Sequence, residues 1–171
     1  FAWLAPIASL AAAALAAPAS AQPCDDRDPL RRAHFGDLHV HTSYSFDSYL
    51  FDNRNDPRDA YAFAKGAPKA IPPLDANGNP TQWLQLLRPL DFAAVTDHAE
   101  LLGETSICLD PAHPQYASAA CTLFRDDDAQ AFALFAQALA QTSPSRLPFC
   151  GDGGVGCLAA AVSVWADLQA A

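Results

Sequence analysis

The segment Asp37-Leu38-His39-Val40-His41 alternates strictly in polarity, and it constrains this chain more than any other stretch. Side chains of a β-strand point alternately to opposite faces. The pattern predicts a strand over 34–42, with Asp37, His39 and His41 on one face and Leu38 and Val40 packed against covering helices. Histidines at i and i+2 stand about 6.5–7 Å apart along one side of a strand. From there their imidazole nitrogens converge on a single cation at about 2.0–2.1 Å. A face bearing an aspartate and two histidines is costly to bury unless every polar group finds a partner. Metal coordination by His39 and His41 meets that need, and Asp37 is placed to hydrogen-bond the far nitrogen of a ligating histidine. The competing reading is an exposed face on an edge strand.

A second motif weighs against that alternative. The run Phe92-Ala93-Ala94-Val95 is apolar on both faces, as in a strand covered from both sides in a parallel sheet, and polarity then switches abruptly at Thr96-Asp97-His98. Parallel α/β folds gather their reactive side chains at the C-terminal ends of strands. Between the two strands lie a Ser-, Asp- and Asn-rich loop over 43–55 and a well-punctuated helix. Asp56 is its N-cap, Pro57 its first residue and Asp59 an acid at the positive end of the dipole. Ala60, Tyr61, Phe63 and Ala64 form its apolar face, and Gly66 stops it. Residues 69–87 read as an irregular excursion or a hairpin turning at Asn77-Gly78. Strand, helix, strand in this order predicts an α/β fold.

These residues also carry a family resemblance. Asp37-Leu38-His39-Val40-His41-Thr42, then Ser45 and Asp47, then Thr96-Asp97-His98, resemble the opening motifs of the PHP (polymerase and histidinol phosphatase) superfamily. Three longer segments resemble, more narrowly, the exported PHP-like family catalogued as domain of unknown function 3604. They are 35–42, Asp59-Ala60-Tyr61 with Phe63-Ala64-Lys65-Gly66, and 89–100. The resemblance is densest from Phe35 to Gly103. It implies the N-terminal part of a distorted (β/α)7 barrel with two or three divalent ions, Mn, Zn or Fe, at the strand ends. By position His39 and His41 bind one ion and His98 another, with Asp47 as a further ligand where PHP enzymes often place a histidine. Asp97 and Glu100 are the candidate catalytic carboxylates, and the remaining ligands of the family are expected beyond Ala171. The activity implied is metal-dependent hydrolysis of a small-molecule ester, first a phosphoester. A sulfate ester or another hydrolytic substrate on the same centre, or a non-catalytic PHP-like binding protein, are the alternatives.

The first 17 residues carry no charge and are dominated by alanine and other apolar residues, and Ala19-Ser20-Ala21 supplies a signal-peptidase pattern. A signal peptide over 1–21 and a polar leader over 22–33 are expected, the domain beginning at His34. A membrane-spanning helix is the competing reading; it needs about 20 strongly apolar residues, and Pro6 and Pro18 interrupt this Ala-rich stretch. No lipobox precedes Cys24. The expected location is periplasmic or secreted, off the membrane once the signal is cleaved. The chain has no Met, starts at Phe1 and stops within an apolar-periodic segment, so a truncated protein, inactive as this piece alone, is expected.

In an exported protein, five cysteines predict disulfides. The sequence-local pairs are Cys108 with Cys121 and Cys150 with Cys157, each stapling a loop and leaving Cys24 over. A zinc site on Cys108, His113 and Cys121 has no ribbon or finger spacing behind it. The net charge of −9, with no basic cluster longer than Arg31-Arg32, argues against nucleic acid as a partner.

Residues 103–125 are expected to form a long loop. Asp126-Asp127-Asp128 would open a helix bearing Phe132, Phe135 and Leu139, and a last helix from about Leu158 would pack Val162, Trp165 and Leu168 into the core. Gly151-Asp152-Gly153-Gly154-Val155-Gly156 fits a dinucleotide fingerprint. It lacks the preceding hydrophobic strand, so a disulfide-closed glycine loop is the better reading.

Overall fold

A computed structural model of the protein describes residues 30–142 and 145–171, all of whose helices and strands belong to the unit His34–Ala171. The signal peptide, Cys24 and most of the leader lie outside the described residues. Two parallel strands, β1 (Gly36–Val40) and β4 (Phe92–Val95), pair in the register Gly36 with Phe92 and Val40 with Val95. Between them come α1 (Phe46–Leu50), α2 (Pro57–Ala64) and an antiparallel hairpin of β2 (Lys69–Leu74) and β3 (Pro80–Leu84). Among the described residues four α-helices follow, α3 (Leu102–Leu109), α4 (Ala119–Asp126), α5 (Asp128–Leu139) and α6 (Val155–Ala170), with two single 3-10 turns ahead of α6. The fold is mixed α/β, as the order of sequence patterns predicts.

Local chemistry explains most boundaries. Asp56 accepts from the Asp59 amide while the Asp59 carboxylate accepts from the Asp56 amide, a reciprocal capping box that satisfies two otherwise unpaired donors of α2. Gly66 then takes φ +94°, closing the helix in the left-handed region where a Cβ is strained. The hairpin turns through Asp75, whose carboxylate accepts from the amides of Asn77 and Asn79 around the positive-φ Gly78.

The core lies among the helices. Phe124 and Phe135 stack with centroids 4.8 Å apart, Tyr49 stacks on Phe124 at 5.2 Å, and Ile107, Leu101, Leu50, Leu147 and Phe46 belong to the same cluster. Both expected disulfides form: Cys108–Cys121 joins α3 to the first turn of α4, and Cys150–Cys157 closes the glycine loop ahead of α6.

Several expectations are corrected. The first strand is shorter than 34–42, and its Leu38 side chain is 65% exposed instead of packed under a helix. Phe92 is also exposed, so the β1–β4 pair is not covered on both sides. In a two-stranded sheet each strand is an edge, and α2 packs against β4. Residues 103–125 are not a long loop but hold most of α3 and nearly all of α4; a disulfide and the Ser118 cap on the Cys121 amide organise what looks loop-like in sequence. A short helix, α1, likewise stands in the segment read as a loop over 43–55. Within the aspartate triplet, Asp126 ends α4, Asp127 caps α5 by accepting from the Gln130 amide, and only Asp128 enters the first turn.

The stripe on the last helix is corrected most strongly. Val162 and Trp165 are 63% and 58% exposed, and of the expected stripe Leu168 alone is partly buried. Cys157, Ala160, Ala161 and Val164 form the inward face instead, with Cys157 fully buried. Gly103 explains the reversal. A Cβ there would collide with the carbonyl oxygen of Cys157, so α3 and α6 meet at backbone distance, where only small side chains fit between them.

Candidate metal centre

The parallel pairing brings the two sequence motifs level. The Thr96 amide donates to the Val40 carbonyl at 2.7 Å, and the Val40 amide donates to the Thr96 hydroxyl at 3.0 Å. His41, just past β1, therefore stands beside Asp97 and His98, just past β4.

Asp97 binds the two strand ends together. It accepts from the Thr42 amide at 2.5 Å, the Thr42 hydroxyl at 2.7 Å and the Ser45 hydroxyl at 3.0 Å. The Ser45 hydroxyl oxygen in turn accepts from the His98 amide at 2.8 Å. Thr42 and Ser45 are fully buried, so this network is shielded from competing water. It turns the chain sharply after His41 and delivers Asp47, on the first turn of α1, back toward the histidines.

The candidate ligands converge there. Asp47 Oδ2 lies 3.1 Å from His41 Nδ1 and 3.4 Å from His98 Nε2, and single ligand atoms of the three residues all fall within 4.8 Å of one another. His39 Nε2 is 3.1 Å from His41 Nε2, with the two rings stacked at 4.9 Å. The rings of His41 and His98 meet edge-on at 4.7 Å. Ligands bonded at about 2.0–2.1 Å around a tetrahedral ion are separated by about 3.3 Å, so the donor types and their spacings fit a divalent cation. A neutral imidazole has one hydrogen between its two nitrogens. His41 can therefore give one nitrogen to an ion and donate from the other, and it joins the His39 side of the cluster to the Asp47–His98 side.

The remaining candidates surround this group. Glu100 Oε2 is 3.4 Å from His98 Nδ1, where a carboxylate fixes the ring of a ligating histidine. Asp37 faces its own strand: its carboxylate accepts from the His39 amide at 2.9 Å. His39 and Asp37 are exposed, while His41, Asp47 and His98 are half-buried. Phe46 packs its ring 5.6 Å from that of His98, linking the site to the helical core through α1.

Sequence reasoning missed one support. The Tyr44 hydroxyl donates to Asp167 Oδ2 at 2.6 Å, and Arg58 donates to both Asp167 oxygens at 2.8 and 3.0 Å. This ties the turn after β1 to α2 and α6. Hydrogen bonds from Arg58 and Tyr44 hold the Asp167 carboxyl down to about 2. Burial, with the bond to Asp167, pushes the Tyr44 phenol up to about 12. No local sequence signal marks an aspartate more than a hundred residues from its partners.

Fold and site together define an α/β protein that carries a histidine–aspartate cluster at the C-terminal ends of two parallel strands. Residues 28–171 match the family described as Protein of unknown function (DUF3604), and the chain belongs to that family. No curated protein and no solved structure matches it.

Proposed function

We propose that the protein is an exported metal-dependent hydrolase acting on a small-molecule ester, first a phosphoester. The observation that carries this reading is the convergence of His41, Asp47 and His98, with His39 alongside, on donor spacings that suit a divalent ion. Divalent ions bound there (two or three, Mn, Zn or Fe) would supply a water of lowered pKa and polarise the oxygens of an ester. The chain's own residues bind and orient. His39, His41 and His98 offer imidazole nitrogens, and Asp47 offers a carboxylate between two of them. Glu100 steadies His98 and is positioned to take up a proton. Asp97 contributes by fixing the turn that carries His41 and Ser45.

The resemblance to the PHP superfamily supports the same reading, together with a distorted (β/α)7 barrel as the complete architecture. The two disulfides fit an oxidising compartment, which supports a periplasmic or secreted location after removal of the 1–21 signal. A sulfate ester suits the same centre, since it too places anionic oxygens on the metal.

The test is metal analysis of the purified protein followed by a panel of phosphate and sulfate esters. Stoichiometric Mn, Zn or Fe is expected, and His41→Ala should lose most of it, with turnover falling by about a hundredfold or more. Metal-free protein with His39→Ala and His41→Ala indistinguishable from wild type would overturn the proposal. Bound metal with no turnover on any ester would favour a non-catalytic binding protein.

A further inference from the structure

We infer that the cavity beneath α2 receives an uncharged aromatic group, the alcohol half of the ester cleaved at the neighbouring cluster. The inference rests on the hydrolase reading and specifies its substrate class. The cavity measures about 450 Å³ and lies between the β1–β4 pair, α2 and the hairpin. A volume of roughly 300–1,000 Å³ with mainly apolar walls and a few polar groups is typical of a small-molecule site. Val40, Val95, Ala60, Phe63, Ile71 and Leu86 supply most of the wall. Of the cluster, His41 alone forms part of it, beside Asp37, so the cavity meets the cluster at His41.

The polar groups of the wall decide what fits. Lys69 is the lysine of this lining, and its ammonium pairs with Asp59 at 2.5 Å, so it is already neutralised. The Asn55 amide group donates to the Ala70 carbonyl and to Asn53. An anion entering here would lose its hydration, and the described lining residues offer no unpaired cation to replace it. The phosphate or sulfate therefore belongs at the cluster and the uncharged remainder in the cavity. Tyr61 provides one handle: its hydroxyl oxygen accepts from the Val95 amide at 3.3 Å, which leaves its hydrogen to donate to an oxygen of the ligand. The rings of Tyr61 and Phe63 in the wall favour an aromatic ligand over an alkyl chain.

The test uses 1-naphthol, naphthalene, 1-naphthyl phosphate and methyl phosphate with the purified protein. 1-Naphthol should shift the amide resonances of Ala60, Phe63 and Ile71, and should still bind after chelation of metal. Ala60→Phe fills the space and should weaken 1-naphthol by about tenfold or more. Tyr61→Phe should weaken 1-naphthol but leave naphthalene unchanged, which keeps the inference testable if Ala60→Phe does not fold. Preference for 1-naphthyl over methyl phosphate should collapse in Ala60→Phe while methyl phosphate turnover persists. Absence of 1-naphthol shifts in the cavity, or equal binding by both folded variants and wild type, would refute the inference even if esters are cleaved. Binding of 1-naphthol at those residues with no ester cleaved would retain the cavity as a ligand site and remove the hydrolase reading.

Discussion

Asp97 is surrounded by donors: an amide and a hydroxyl from Thr42 and a hydroxyl from Ser45. Asp97→Asn would turn an amino group toward at least one of them and remove the charge that strengthens all of them. We expect a loss of about 1–3 kcal/mol in stability, read by denaturant unfolding, and weaker metal binding, read by titration of the purified protein. At the same scale, the Tyr44–Asp167 pair gives a pH signature. The Asp167 carboxyl is depressed from 3.8 to about 2, so its contribution is complete above 3.8 and is lost as pH falls toward 2. The Tyr44 phenol is raised from 10.0 to about 12, so its contribution is complete below 10.0 and is lost as pH rises toward 12. Thermal unfolding across pH should show both losses in the wild type, and Tyr44→Phe should reduce the alkaline one, leaving the part that comes from Tyr49, whose phenol is also raised by burial. An unchanged alkaline limb in Tyr44→Phe would show that this phenol is not its source.

At the scale of elements, the α3–α6 crossing depends on one glycine. A methyl at Gly103 meets the Cys157 carbonyl oxygen and crowds the Ala161 amide nitrogen, both backbone atoms that a rotamer change cannot move. Gly103→Ala should therefore separate the helices and cost about 3 kcal/mol, the upper end for overpacking. Equilibrium unfolding measures it; a change below about 0.5 kcal/mol would mean that the helices slide past each other without penalty. This crossing also fixes which side of α6 faces solvent. Leu158, Val162 and Trp165 lie on the exposed side of α6, turned away from Cys157 and Val164, and they remain exposed because small residues make the contact.

At the scale of the molecule, the site stands at the meeting of a thin sheet and a helical core. The sheet supplies His39, His41 and His98, while the core holds α1 and with it Asp47. The Cys108–Cys121 disulfide is fully buried within that core and spans a sequence separation of 13. Loop-closure entropy for a ring of that size is worth about 3 kcal/mol. Cys108→Ala with Cys121→Ala should lower stability by about that amount, and stability should become insensitive to added reductant at this position. Equal denaturation midpoints for the double variant and the wild type would show that packing alone holds α3 to α4.

Much of the site was legible in the sequence because its signals are local. Polarity alternation marked His39 and His41, an abrupt switch after an apolar run marked Asp97 and His98, and Asp56-Pro57 with Asp59 and Gly66 bounded α2. Short-range cysteine spacing likewise indicated both disulfides. Tertiary structure alone decided the rest, since it depends on pairs far apart in the chain. The parallel register sets His41 beside His98, and the Asp97 network aims Asp47 back toward them. Periodicity correctly marked α6 as a helix but chose its large apolar residues as the buried face. The physical reason is that hydrophobicity ranks side chains without regard to how close the partner backbone comes, and Gly103 leaves room only for small ones. The motif of alternating residues, likewise, made Leu38 a core side chain, while the two-stranded sheet leaves it in solvent.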